Sequence, residues 1–340
     1  MSLPSKEIPL GAMRFNSDSQ KLEYWMGSAW MQIQTFSPNL GDSSSPAGAR
    51  GVFMGSSVPT GDSQISYVTI PTAGDAVNFG SRSITGVGAN LSSRTRGLAA
   101  GDTAPTFVNT IDFITLSSTG NATDFGDRTI VTGRTRGCSN EVRGLWAGGF
   151  GPSPNVRDQI DFVSIAATGN AVDFGDLTGN REAPSGNVNS PTRAIWSGGD
   201  TDGGGNYSDA IQYVHIQSLG NAVDFGLLVS GRGIAGGLSS ATRGLIGAGQ
   251  NPGTTASIDF LTIATFGNAL DFGDCSIARY GRGSTTDCIR GVFAGGAGPA
   301  LTNIMDYVNI ATQGDAVDFG DLTQTARLEG GCSTAHGGLG

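Results

Sequence analysis

Six copies of one short motif constrain what this chain can fold into. The stretch from Gly169 to Asp176 reads Gly-Asn-Ala-Val-Asp-Phe-Gly-Asp, and near-copies centre on Phe79, Phe125, Phe225, Phe272 and Phe319. Successive phenylalanines lie 46, 49, 51, 47 and 47 residues apart. A regular period of that length marks a repeat architecture, in which each unit buries its apolar face only against its neighbours.

The third copy shows four strand-like pieces. Arg143-Gly144-Leu145-Trp146-Ala147-Gly148-Gly149 has counterparts beginning at Arg50, Arg96, Arg193, Arg243 and Arg290. A variable Gly/Pro/Ser/Asn loop leads to Ile160-Asp161-Phe162-Val163-Ser164-Ile165, whose alternation leaves both faces apolar, as in a strand held between two layers. The Asp-Phe-Gly piece is third. The fourth is small and Gly-rich, as in 233–240, and suits a strand crowded near a central axis. With 55 glycines in 340 residues the composition could mean disorder, but these glycines recur in register between apolar strands, which excludes it.

The first 34 residues differ. An arm at 1–10 precedes Gly11-Ala12-Met13-Arg14-Phe15-Asn16, a turn, Gln20-Lys21-Leu22-Glu23-Tyr24-Trp25, a second turn and Ala29-Trp30-Met31-Gln32-Ile33. The alternation predicts a three-strand meander. So small a unit with two tryptophans buries little core alone, so Phe15, Tyr24, Trp25 and Trp30 are candidates for docking or oligomerisation. Residues 35–48 have linker composition.

This segment, Gly-Ala-Met-Arg-Phe-Asn through Lys-Leu-Glu-Tyr-Trp to Ser28-Ala29-Trp30, resembles a short module of bacteriophage virion proteins, notably tail-fibre and other appendage proteins. The resemblance covers less than a tenth of the chain. It implies a non-enzymatic virion structural protein, assembled in the host cytoplasm. Its implied partners are other virion proteins and a host-surface glycan or protein, with homo-oligomerisation through the N-terminal module. A capsid or tail decoration protein is an alternative.

The repeats resemble kelch-type β-propellers, in which a glycine pair ends one strand and aromatics mark the next two. Gly148-Gly149, Gly198-Gly199 and Gly295-Gly296 keep the pair, whereas Gly55-Ser56, Gly101-Asp102 and Ala248-Gly249 depart from it. The expected fold is all-β: an N-terminal arm and meander (1–34), a linker (35–48) and a six-bladed kelch-like β-propeller (49–340). No small-residue strand precedes Arg50, while 326–333 supplies one left over. That segment is expected to join the first blade and close the ring, removing an open edge.

Few residues point to chemistry. The recurring Arg50, Arg96, Arg143, Arg193, Arg243 and Arg290 are matched in number by Asp124, Asp173, Asp224, Asp271 and Asp318, with Asn78 in the first copy. A residue present in every repeat reads as architecture, here Arg–carboxylate or Arg–carbonyl contacts between strands or blades. Asp-Phe-Gly without a kinase glycine loop, lysine or catalytic loop is no kinase signature, and Gly231–Gly236 matches GxGxxG without a following helix pattern. His215 and His336 have no spaced zinc ligands, no cofactor is implied, and a calcium site around Asp200–Asp202 gives way to plain loop polarity. A polysaccharide-degrading virion enzyme would need carboxylates assembled across blades, and the five glutamates show no cluster that breaks the symmetry.

The loops at 56–64, 102–110, 150–159, 200–210, 250–257 and 297–303 differ most between repeats and should gather on one face of the disc. Binding usually resides in such loops, which makes Phe150, Asp200, Asp202, Asn206, Tyr207, Gln250 and Asn251 the candidate binding residues.

Charge bounds the partners. The formal net charge is −9, and both lysines, Lys6 and Lys21, precede the repeats, so no basic patch suits nucleic acid. No apolar run approaches the ~18 residues of a membrane span, and the first 15 residues lack a signal-peptide core, so membrane insertion is not expected. Cys138, Cys275, Cys288 and Cys332 form no CxxC pair and read as free thiols.

The closure expectation is testable. Truncation before Ala326 should lower the melting temperature of the entire repeat array, and equal thermal stability with and without that segment would count against closure.

Overall fold

The computed structural model describes residues 9, 11–16, 21–32, 49–57, 61–102, 106–328 and 330–339. The arm at 1–8, the first turn of the meander at 17–20, the linker at 35–48, the tips of two loops (58–60 and 103–105) and Glu329 lie outside the described residues. The chain divides into two compact units, Met1–Asn39 and Leu40–Gly340. Among the described residues no helix is long and apolar enough to cross a membrane.

The small unit is a three-stranded antiparallel sheet of β1 (Met13–Asn16), β2 (Lys21–Trp25) and β3 (Trp30–Gln32), in that order. Register places Met13 opposite Tyr24, Arg14 opposite Glu23 and Trp25 opposite Trp30.

The large unit is all-β and propeller-like. Its described strands form six four-stranded antiparallel sheets. We number them I to VI by their outermost strands: Val77–Ser81, Thr123–Asp127, Val172–Asp176, Val223–Leu227, Leu270–Asp274 and Val317–Asp321. In sheet III the order from the axis outward is Arg136–Ser139, Arg143–Ala147, Gln159–Ser164 and Val172–Asp176. Sheet I takes its innermost strand, Cys332–Ser333, from the far end of the chain, with Cys332 opposite Val52 and Ser333 opposite Gly51. The ladder is shorter than 326–333, because 326–328 instead contact loop backbone: Ser57 and Gly296 donate to Arg327 and Ala326 carbonyls, and Leu328 donates to Gly281.

The repeated motif explains itself at the seams. Gly220 N–H donates to Phe174 O at 2.9 Å and Ala222 N–H to Asp176 O at 2.7 Å. Asn221 Oδ1 accepts Asp176 N–H at 3.0 Å. The Gly-Asn-Ala of one copy therefore pairs with the Phe-Gly-Asp of the copy before it. All six seams repeat this, including the closing one, where Gly74 and Ala76 donate to Phe319 O and Asp321 O at 2.7 and 2.8 Å and Asp75 Oδ1 accepts Asp321 N–H at 3.0 Å. The glycine of Asp-Phe-Gly is demanded by that contact. At Gly175 a Cβ would lie 2.6 Å from the Gly220 backbone, and φ is +145°. Each phenylalanine is buried and meets the next ring of its own sheet edge-on, as Phe162 and Phe174 do at 5.8 Å.

The recurring arginines cross the same seams. Arg143 Nη1 donates to Ile216 O of the next sheet at 3.0 Å while its guanidinium lies 5.0 Å from the Phe162 ring centroid. Arg50, Arg96, Arg193, Arg243 and Arg290 donate likewise to Leu116, Ile165, Ile263, Ile310 and Pro71 carbonyls. The carboxylate alternative is corrected. Asp124, Asp173, Asp224, Asp271, Asp318 and Asn78 are exposed, because each precedes its buried phenylalanine on an alternating strand and points the other way.

The acid that is buried is the one in the Ile-Asp-Phe strand. Asp112, Asp161 and Asp306 pair with Arg82, Arg128 and Arg279 from the preceding sheet's exit segment at 3.1, 3.0 and 2.6 Å, and Asp259 pairs with Arg232. Burial lowers the Arg128 pKa, and Asp161 opposes that shift. In sheet IV, Gln212 takes the aspartate's place and accepts Thr178 N–H and Oγ1–H at 2.7 and 2.9 Å.

Small residues line the axis, as the sequence implies. Consecutive innermost strands touch in a closed cycle. Ser139 Oγ donates to Ser92 O at 2.8 Å, Ser92 Oγ to Ser333 O at 2.7 Å, and Ser333 Oγ to Thr286 O at 2.6 Å. The sequence reading missed what fills the axis. Residues 334–339 turn into it, with His336 buried and a short 3-10 turn at Gly337–Leu339. His336 Nε2 lies 2.8 Å from Ser92 O and 3.3 Å from Ser139 Oγ, and Nδ1 accepts Gly338 N–H at 3.1 Å. That pattern is satisfied by neutral imidazole alone, since Nδ1 faces a donor.

Burial, reinforced by the Arg94 charge, holds the His336 pKa at about 4 against an ordinary 6.5. Between those values the unfolded chain binds a proton that the folded chain excludes, so stability falls as pH falls through this window. The full window corresponds to on the order of 3 kcal/mol. Thermal unfolding should therefore show His336→Gln losing less stability than the unsubstituted chain between about pH 7 and about pH 4.5. Parallel pH profiles would contradict the assignment.

Candidate functional site

Strand alternation sends the six variable loops and the segments that link one sheet to the next to the same face. The loops of sheets III to VI lean on the linking segments before them. Isolated bridges join Gly133 to Phe150, Glu182 to Asp200 and Gly233 to Gln250. Those segments carry left-handed residues, Arg134 at φ 52°, Ala183 at 46° and Ile234 at 57°. They are held by successive bonds in which Ala183 N–H donates to Arg134 O, Ile234 N–H to Ala183 O and Gly281 N–H to Ile234 O. Surrounding structure that over-determines the backbone is what lets such conformations persist.

The candidate binding residues fall on one arc across sheets III, IV and V. Phe150 is half-buried, 5.9 Å from the Phe107 ring and 5.5 Å from the Arg134 guanidinium, which pairs with Glu182. Gly203 of the next loop packs on Phe150, where an added Cβ would lie 3.2 Å from Cε2. Tyr207 rests on Gly233, and the same segment reaches sheet V through Gln250, whose backbone pairs with Gly233, and Asn251, whose Nδ2 donates to Gly231 O.

Asp200 does not face a ligand. Its Oδ1 accepts Asp202 and Gly203 N–H at 3.1 and 3.0 Å, and Oδ2 accepts Gly205 N–H at 2.7 Å. Burial alone would raise this carboxyl's pKa, but the N–H donors of Asp202, Gly205 and Gly203 outweigh it and hold it below the ordinary value. The aspartate is an organiser of the loop. What it presents is the exposed tip, with Asp202 and Asn206 facing solvent and Asp202 Oδ1 bonded to Gly204 N–H at 2.7 Å. Tyr207 is pushed up by burial and by the Asp200 and Glu182 charges, so its hydroxyl stays protonated at neutral pH.

The chain matches no protein-family model and no curated protein sequence.

Glu182 and Asp200 are bridged through their backbones, but the Glu182 carboxylate is paired with Arg134 and that of Asp200 is spent on backbone amides. Among the described residues no group of three or more His, Cys, Asp or Glu could hold a metal ion. Cys138, Cys275, Cys288 and Cys332 are free thiols. Sequence reasoning missed Arg134 and Glu182, which fall in the segments between repeats where the period gives no signal. It also missed a cleft of about 480 Å³ beside the arc, lined by Thr254, Ile277, Pro299, Ala300 and Leu301 among others. The four docking candidates of the small sheet divide between its two sides, Phe15 and Tyr24 on one and Trp25 and Trp30 on the other.

Asp200→Ala should release three backbone amides and cost about 1–3 kcal/mol. Hydrogen exchange at Asp202, Gly203 and Gly205 should accelerate, while Asp202→Ala accelerates it only at Gly204. Equal protection in the two variants would sink the organising role.

Proposed function

We propose that this chain is a non-enzymatic structural protein of a bacteriophage virion, an appendage or tail-fibre component. Its propeller-like body presents variable loops for adhesion to a host-surface glycan or protein, or for contact with neighbouring virion proteins. One observation carries the binding part of this reading. The motif residues and arginines that recur in the copies join sheet to sheet, whereas the residues on the variable-loop face follow no repeat. A fixed scaffold with unconstrained loops is the arrangement that binding modules use. The virion part rests on the resemblance of residues 11–30 to the appendage module.

Mechanistically this is polyvalent contact. The arc from Phe150 to Asn251 offers amides, hydroxyls, exposed carboxylates and part of an aromatic ring, a lining suited to hydrogen bonding with sugars or peptide surface. Several copies held together would turn weak single contacts into avidity. The pairing of Glu182 with Arg134 and of Asp200 with amides favours adhesion over hydrolysis, which requires carboxylates free to converge on a substrate bond.

Gold-labelled antibody to the propeller-like unit, applied to purified phage particles, tests the placement. Label at the tail or fibre tips is expected. Label over the head or tail shaft would favour a decoration role, and no label from an antibody proven on the native protein would remove the virion reading.

A further inference from the structure

We infer that Arg181 reads an anionic group on the variable-loop face, and that this face takes an acidic polysaccharide bearing carboxylate or sulfate on its sugar rings; this deepens the adhesion reading and rests on it for the face that binds. The repeat defines what Arg181 would otherwise do. Sheets II, III, V and VI bury Asp112, Asp161, Asp259 and Asp306 in their third strands, and each meets an arginine from the linking segment before it. Two of those arginines, Arg232 and Arg279, stand seven residues after Phe225 and Phe272 and are 2% and 0% exposed. Arg181 stands at the same distance after Phe174, but sheet IV carries Gln212 in place of the aspartate, with its Oε1 taken by Thr178. Arg181 is accordingly only half-buried and makes no ion pair among the described residues. Its Nη1 donates to Asn180 O at 2.7 Å, Nε is unpartnered, and Nη2 bonds to nothing in the described chain. Sheet I follows the same rule. Ser66 replaces its aspartate, and Arg327 of the linking segment before it is half-buried, lying 5.1 Å from the Tyr280 ring centroid rather than in an ion pair.

The released arginine lies within the arc. Its N–H donates to Arg157 O at 2.8 Å and its carbonyl accepts Gly149 N–H at 2.8 Å, which fastens it to the loop that carries Phe150. Glu182, next in the chain, is bridged to Asp200 of the following loop. Arg157 is a second half-buried arginine with no ion pair among the described residues, and its Nη2 donates to Pro152 O. The carboxylates around Arg181 do not complete it. Glu182 pairs with Arg134, Asp200 takes backbone amides, and the exposed Asp209 acts on Arg181 through its charge without a direct contact.

A guanidinium that has lost both its carboxylate and part of its water is completed by an anionic oxygen from outside, and its planar fork suits the paired oxygens of carboxylate or sulfate. The surroundings favour a sugar over an acidic peptide as the carrier of that group. Ser153, Asn155, Asn180 and Asn206 are exposed, and Tyr207 keeps its hydroxyl proton at neutral pH. These side chains donate to and accept from ring hydroxyls. Peptide recognition leans instead on large apolar or aromatic anchors, and the loops at 150–159 and 200–210 expose no large hydrophobic side chain that would receive one.

Biolayer interferometry of the full chain on immobilised polygalacturonate, dextran sulfate, neutral dextran and polyglutamate reads the ligand. Binding to polygalacturonate, dextran sulfate or both is expected, with little to dextran or polyglutamate, and the two acidic polymers separate carboxylate from sulfate. Arg181→Gln should weaken binding at least about tenfold, whereas Arg327→Gln, which removes the same charge at the opposite seam, retains it. Asp209→Asn should tighten binding. Because Arg181→Gln could disturb the linking segment, Gln212→Asp gives a second reading: it returns the aspartate that Arg232 and Arg279 meet, draws Arg181 inward and should remove binding with the arginine still present. Absence of binding to both acidic polysaccharides, equal binding to dextran, equal or tighter binding to polyglutamate, or Arg181→Gln binding no more weakly than Arg327→Gln would each overturn the inference. Failure here is separable from failure of the adhesion reading. A chain that labels fibre tips yet binds neither acidic polysaccharide loses only the anionic ligand, and one that binds them but labels no particle loses only the virion.

Discussion

The head-to-tail pairing of Gly-Asn-Ala with Phe-Gly-Asp is the interaction on which the rest of this structure depends. It covers the outer edge of every sheet with the turn of the next, so that the six outer strands offer no free edge to another chain. Each seam takes two backbone bonds and one side-chain cap from two successive copies of the eight-residue stretch. The same stretch also supplies the buried phenylalanine of its own sheet and the glycine that lets the neighbouring turn approach. Substituting any one of these positions therefore disturbs two sheets at once. That is the physical reason the motif is written almost identically in all six places while the loops between are not.

The arginines and the buried ion pairs act on the seams that this pairing creates. Arg143 and its equivalents reach a carbonyl that the turn would otherwise leave unpaired, with an aromatic face beneath the charge. The Arg82–Asp112 and Arg128–Asp161 pairs are wholly buried, where desolvation offsets most of the attraction. Removing either partner would strand a buried charge, so each pair is costlier to break than its net contribution to stability. Gln212, which meets Thr178 by neutral hydrogen bonds, shows that the seam tolerates the exchange when both partners change together.

The repeat made the all-β, propeller-like architecture legible from sequence, because apolar alternation and a 46–51 residue period leave few other ways to bury the strands. The small-residue strand at the axis followed from crowding. Partnerships were harder to read. The Asp-Phe-Gly aspartates were the obvious match for the arginines by count, yet strand alternation turns them outward, and the aspartate of Ile-Asp-Phe, hidden inside an apolar run, is the one that is buried. Its arginine partners stand at two different offsets from the repeated phenylalanine, near at 82 and 128 and farther at 232 and 279, which blurs any periodic signal. The turn of 334–339 into the axis was illegible for a related reason. A segment that occurs once carries no period, and His336 reads as a solitary tail residue until the cycle of serines around it is seen.

Departures from the repeat fall on particular sheets: sheet I carries Ser66 in place of the buried aspartate and Asn78 in place of the outer one, and sheet IV carries several of its own. Its third strand exchanges the buried aspartate for Gln212, its innermost strand shifts register between Ser185 and Val188, and its variable loop is the one organised by Asp200. At its far seam Phe266, 60% exposed, closes over Arg193 and Tyr213 in a place where the other copies carry Ala, Thr, Leu or Gln. A ring of equivalent seams is indifferent to which sheet carries a change, provided the interlock survives. Sheet IV lies under the middle of the arc from Phe150 to Asn251, and its loop, unlike its counterparts, is organised by one carboxylate that takes three backbone amides.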